Sequence, residues 1–187
     1  MQEEIDFAID AAQEAMEGAL SHLDRGLVKI RAGKASPDMV DALMVEYYGG
    51  MVSIKNVANI GTADARTITI QPWEKGVIGA IERSIFQSNL GMTPQNDGQV
   101  IRLTVPFLTE ERRRNLAKQA KEEGENAKVV LRSARREAME DIKKSVKNGY
   151  PEDAGKRAEE KVQKMTDDHV AKIDAAVAAK ERDIMTV

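Results

Sequence analysis

The residues best placed for chemistry form a cationic stripe. Arg114, Lys118, Lys121, Lys128, Arg132, Arg135, Arg136 and Lys143 recur at helical spacings. At about 100° per residue they fall within about a third of a helix circumference. The apolar positions of the same segment centre roughly 110° away, and Glu122, Glu123, Glu137, Glu140 and Asp141 take the remaining side. Residues 112–147 hold twelve basic and six acidic side chains, net +6, in a chain whose total is −3. Arginine forks match phosphate oxygens, and a rigid helix holds several forks at fixed spacing. No aromatic residues are interleaved to stack bases, so the expected target is the backbone of folded RNA, read by charge and shape. The competing reading is a solvated face laced with i, i+4 ion pairs, such as Lys121 with Glu125.

Other chemistry is poorly provided for. The 187 residues contain no cysteine, which excludes a disulfide framework, a thiol nucleophile and a cysteine zinc site. The two histidines, His22 and His169, lie on or beside apolar helical stripes and read as packing or boundary residues. Asp167-Asp168-His169 resembles a ligand cluster, but successive helical residues point in different directions. There is no phosphate-cradling Gly-rich loop, H-E-x-x-H or G-x-S-x-G. No catalytic residue, metal or cofactor is expected. An acidic start, Gln2-Glu3-Glu4, is the opposite of a basic leader, and no apolar run approaches the ~20 residues of a membrane span. A cytoplasmic, monomeric protein with no membrane role is expected; the cationic stripe lacks Trp or Phe anchors for a lipid surface.

Long helices must position the stripe. Ile5, Ile9, Ala12, Met16, Ala19, Leu23, Leu27 and Ile30 recur at steps of three and four, predicting a helix over 2–30. Leu116, Ala120, Ala127, Leu131, Ala134, Ala138 and Ile142 predict a second over 109–147, opened by Thr109 and two carboxylates. Ala158, Val162, Met165, Ile173, Val177 and Ile184 predict a third over 152–185, after the stop Asn148-Gly149-Tyr150-Pro151. Three amphipathic helices have three stripes to bury, and a three-helix bundle buries them all.

Between the first two helices the pattern changes. Leu43 to Tyr48, Arg66 to Ile70 and Val100 to Val105 read as strands, and 75–89 reads as a helix. The fold class is therefore α+β in two domains: a bundle from 1–31 and 107–187, and an inserted domain from 32–106. Only two short crossings join them, which predicts a hinge at Gly33, Lys34, Val105 and Pro106.

The run Lys29-Ile30-Arg31-Ala32-Gly33-Lys34-Ala35-Ser36-Pro37 resembles the K-I-R-x-G-R-A-S-P segment of bacterial ribosome recycling factors. Val45-Glu46-Tyr47-Tyr48-Gly49, Arg66-Thr67, Asn89-Leu90-Gly91, Pro106 to Arg113, Val130 to Arg136 and Val162 to Asp167 follow in the family's order. Lys34 stands where the family usually has Arg, and Met51 to Ile54 replaces a stretch that commonly contains Thr-Pro-Leu. The resemblance implies an L-shaped protein whose inserted domain is a small β/α/β sandwich. It implies a factor that, with elongation factor G and GTP, splits the post-termination ribosome. It implies that Arg31, Arg132, Arg135 and Arg136 contact large-subunit rRNA and that the inserted domain meets elongation factor G. The rival from another class is a structural module that binds protein, its basic stripe serving only solubility.

Overall fold

The structure, a computed structural model, describes residues 2–186. It divides into two compact units. The first holds the chain up to Ala32 and from Glu110 onward; the second is Gly33–Thr109.

The first unit is three helices: α1 (Gln2–Lys29), α3 (Glu110–Lys147) and α4 (Glu152–Met185). Every apolar position read from the sequence of α1 and α3 is buried. In α4, Ala158, Val162, Ile173 and Ile184 are buried, while Met165 and Val177 are half-buried. Fully buried Ile5, Met16, Leu23, Leu131 and Ile142 anchor the core, each contributing about 1.5–3 kcal/mol. Helix α3 ends where Tyr150 N–H reaches back to the Ser145 carbonyl at 3.0 Å. The Tyr150 hydroxyl then donates to Gln2 Oε1 at 2.6 Å, fastening the turn to the start of α1. At the other end, Arg113 Nη1 donates to the Ile184 carbonyl at 2.7 Å and occupies an orphan acceptor of the last α4 turn.

The helices approach closely where side chains vanish. A methyl group built on Gly124 of α3 would lie 2.6 Å from Val177 Cγ2 of α4. One built on Gly155 of α4 would lie 2.5 Å from Val146 Cγ2 of α3. Helix α3 uses glycine in mid-span and α4 in its first turn despite its low propensity, because contact outweighs about 1 kcal/mol of helix preference.

The second unit holds a hairpin, β1 (Met44–Tyr47) and β2 (Gly50–Ser53), and a four-stranded antiparallel sheet. The sheet comprises β3 (Ala58–Asp64), β4 (Thr67–Pro72), β5 (Pro94–Asn96) and β6 (Ile101–Thr104), in the order β3-β4-β6-β5. Helix α2 (Ile78–Gln87) lays Ile78, Ile81 and Ile85 into the same core as Val45, Ile54, Ile68, Ile70, Ile101 and Leu103. Ser84 Oγ of α2 donates to the Met44 carbonyl at 2.7 Å, tying helix to hairpin. Three strands are additions to the sequence reading: β2, β3 and β5. Both β3 and β5 are edge strands, and β3 is largely exposed along its length. Period-two alternation needs one buried face, so such a strand shows none.

Candidate nucleic-acid interface

Helix α3 carries the cationic stripe as a continuous 38-residue rod. The structure divides that stripe into two stretches with different partners.

The first stretch is tied to α4. Lys121 Nζ lies 3.6 Å from Glu181 Oε1. Lys128 Nζ lies 2.7 Å from Asp174 Oδ1 and 3.2 Å from Glu125 Oε1. The hydrogen bonds that Lys128 donates to Asp174 and Glu125 raise its ammonium above its ordinary value, against a smaller opposing effect of burial. These cations line a groove between α3 and α4 that also contains Gly124 and Val177. The expected Lys121–Glu125 pair gives way to a different pairing: Glu125 turns to Lys128 and Arg132, and Lys121 reaches across to α4. Sequence spacing along one helix could not show the Lys121 contact, because its acceptor Glu181 belongs to another helix.

The second stretch faces outward. Arg132, Arg135, Arg136 and Lys143 together line an open depression on α3 with Met139 and Glu140. Arg136 is exposed and, among the described residues, has no hydrogen bond or ion pair. Arg132 Nη2 lies 3.5 Å from Glu125 Oε2, with both side chains about 60% exposed. That pair is too loose and too wet to hold the guanidinium against a phosphate. Glu125, and Glu140 in the depression, thus stand beside the arginine cluster, although spacing along the helix puts Glu140 on the side away from the stripe. Arg135 is half-buried, and its Nη1 donates to Gln163 Oε1 at 2.8 Å. Gln163 Nε2 donates in turn to Asp167 Oδ1 at 2.9 Å. A neutral amide thus orients Arg135 without cancelling its charge.

Sequence spacing did not reveal Gln163 as an orienting residue, since its role depends on the α3–α4 register. Arg31 is exposed just beyond α1, between buried Ile30 and Ala32. Among the described residues it has no polar partner. His169 is buried, with Nδ1 2.7 Å from the Met165 carbonyl, while Asp167 is engaged by Gln163. These neighbours therefore do not converge on one point. Among the described residues no helix is long and apolar enough to cross a membrane.

The hinge candidates lie at the edge of the second unit. Gly33 has φ +75°, a conformation that favours glycine, and an added methyl would meet Leu108 Cγ at 2.8 Å. Lys34 and Pro106 are exposed. Val105 is buried in the small-unit core, its N–H donating to the Arg66 carbonyl at 2.7 Å.

Three long helices, interrupted by a small two-sheet unit and carrying an outward arginine cluster, define a class of two-unit helical binding protein. The pattern of the ribosome recycling factors matches residues 23–185, and the chain belongs to that family. It is 51% identical to the ribosome-recycling factor of Flavobacterium psychrophilum over the whole of both chains. It is 54% identical to that of Parabacteroides distasonis over 96% of each. A solution structure of a ribosome recycling factor superposes with a TM-score of 0.75 at 38% identity, covering 98% of each chain. A second similar structure comes from models of the T. thermophilus ribosome recycling factor and E. coli elongation factor G bound to the E. coli post-termination complex. Its TM-score is 0.61 at 35% identity, with 97% of this chain and 99% of that chain covered.

Proposed function

We propose that this protein recycles ribosomes in the cytoplasm. As a monomer it binds the post-termination ribosome and, with elongation factor G and GTP, splits it into subunits so that mRNA and tRNA leave. The observation that carries this reading is the full-length match to ribosome-recycling factors. A structural relative was placed with elongation factor G on a post-termination complex.

The protein supplies no active site of its own in this reading; nucleotide hydrolysis belongs to elongation factor G. The rod is the gripping element. Arg132, Arg135 and Arg136, with Arg31, meet phosphates of large-subunit rRNA, while Lys121 and Lys128, paired with α4 carboxylates, fasten the rod. Phosphate contacts position a protein without reading sequence, which suits a target recognised by shape. The small unit receives the thrust of elongation factor G and turns about the two short crossings that join it to the rod, the outgoing one at Gly33 and Lys34. Such a motor shifts the equilibrium only if the protein binds intact and separated ribosomes with different affinity.

The test is light scattering of purified post-termination ribosomes. A fall in scattering is expected only when this protein, elongation factor G and GTP are all present. An unchanged signal with all three would refute the reading.

A further inference from the structure

Arg66 sits in the turn between β3 and β4, and that turn holds both crossings of the chain. The Ala65 carbonyl accepts the Ala35 N–H at 2.8 Å on the outgoing crossing. The Arg66 carbonyl accepts the Val105 N–H at 2.7 Å on the returning one. The Arg66 side chain then seizes Val105 from its other side: Nη2 donates to the Val105 carbonyl at 2.8 Å and Nε at 3.2 Å. Its guanidinium carbon stands 3.2 Å from the centroid of the Phe107 ring, cation–π stacking at close range. Phe107 is 69% exposed, so its ring has no place in a core. The turn is itself braced, because Asp64 Oδ1 accepts the Arg66 N–H at 2.8 Å. All these residues belong to the small unit.

We propose that Arg66 is a positioning residue that buckles Val105 and Phe107 to the β3–β4 turn, so that the chain swivels beyond Phe107 and not at Val105 and Pro106. The inference rests on the reading above, in which the small unit turns during splitting. Its physical basis is independent of that reading. A residue whose own N–H and carbonyl are both bonded to one neighbouring residue cannot change its φ and ψ freely without losing hydrogen bonds, here three in all. Pro106 adds stiffness, since its ring fixes φ and restrains Val105 before it. The return crossing is thus rigid for three residues past β6. Thrust applied to the small unit reaches Phe107 undiminished, and bending is concentrated in the short remainder of the crossing.

Three variants separate the parts of the buckle. Arg66→Ala removes both grips. Arg66→Lys keeps the charge but loses the planar fork that reaches carbonyl and ring together. Phe107→Leu removes the ring alone, from a side chain that is already exposed. The measurement is backbone amide relaxation by NMR in the full chain. In the wild type, Val105 and Phe107 should show order parameters of about 0.85, as in rigid backbone. In Arg66→Ala and Arg66→Lys that of Phe107 should fall toward about 0.6, while Val105, whose N–H keeps the Arg66 backbone carbonyl, and Ile101–Leu103 and Ile68–Ile70 stay unchanged and report an intact sheet. The Arg66 Nε–H resonance should be shifted by the Phe107 ring current and lose that shift in Phe107→Leu. Large-subunit binding should be kept in all three, and splitting should slow several-fold in both Arg66 variants. Unchanged order at Phe107 would overturn the buckle; loosened order there with undiminished splitting would overturn its role. If the wild type does not split ribosomes, the recycling reading falls, while the NMR comparison still decides whether the buckle exists.

Discussion

Lys128 of α3 and Asp174 of α4 meet at 2.7 Å, and the same ammonium is held by Glu125 at 3.2 Å. A cation that seemed available for RNA is therefore spent on fastening two helices. Arg136, two turns further along, has no polar partner among the described residues. Two cations of one stripe should respond oppositely to the same substitution.

For Lys128→Ala, thermal stability should fall by up to about 1 kcal/mol, the range of partly exposed ion pairs. The salt dependence of ribosome binding should hardly move. The pair also sets a direction with pH. The folded state raises the ammonium above its unfolded value, so this contribution is complete below about pH 10.5 and is lost only as pH rises beyond it. Urea melts at pH 7 and pH 11 should therefore show wild type and variant converging at the higher pH. A gap that widens there would contradict the assignment.

For Arg136→Ala, melting should be unchanged, since no internal bond is lost. Affinity for large subunits should drop, and the slope of log K against log salt should shrink by about one unit. Filter binding across a salt series reads both. Equal slopes for the wild type and variant would remove Arg136 from the contact. Gln163→Ala should give an intermediate result. It frees Arg135 to wander but leaves its charge, so affinity falls about two- to fivefold with no change in slope.

The contrast between Lys128 and Arg136 also marks what the sequence could disclose. Period 3.6 fixes which residues share a face of one helix. It therefore placed Leu131 and Ile142 in the core and the eight cations on one side. It says nothing of how α3 is set against α4, and that register decides that Asp174, Glu181 and Gln163 meet Lys128, Lys121 and Arg135. The small unit was legible where one face of a strand is buried, as at Ile68 and Ile70. It was not legible at β3, an edge strand with little to bury. Val105 was read as a crossing residue from its place near Pro106; its engagement by Arg66 comes from 39 residues away in sequence.

Gly124 offers a test of helix packing that needs no ribosome. Alanine would improve helix propensity by about 1 kcal/mol, yet its methyl would sit 2.6 Å from Val177 Cγ2. Overpacking of that kind costs about 1–3 kcal/mol, so Gly124→Ala should lower stability or at best leave it unchanged. Pairing it with Val177→Ala should recover more than Val177→Ala loses alone. A double-mutant cycle on urea midpoints reads the coupling. Strict additivity would mean that the two helices part enough to admit the methyl.

Acid should weaken the small unit through two depressed carboxyls. Asp97 is held low chiefly by the backbone N–H groups of Val100 and Gln99, with Arg102 adding to them. Asp64 is held low by the N–H of Arg66 and by bonds from Thr67. Each folded carboxyl gives up its proton more readily than its unfolded counterpart, near pH 4. Their contribution is thus present above that value and is lost as pH falls below it. Trp73, the only tryptophan, belongs to this unit and reports its unfolding. Urea midpoints followed by Trp73 fluorescence should fall as pH drops below about 4. In Asp97→Asn the amide oxygen can still accept the two N–H bonds, but its charge no longer titrates. The variant should therefore lose part of the wild type's stability at pH 7 and show a shallower pH dependence. A pH profile as steep as the wild type's would show that Asp97 contributes nothing to the acid response.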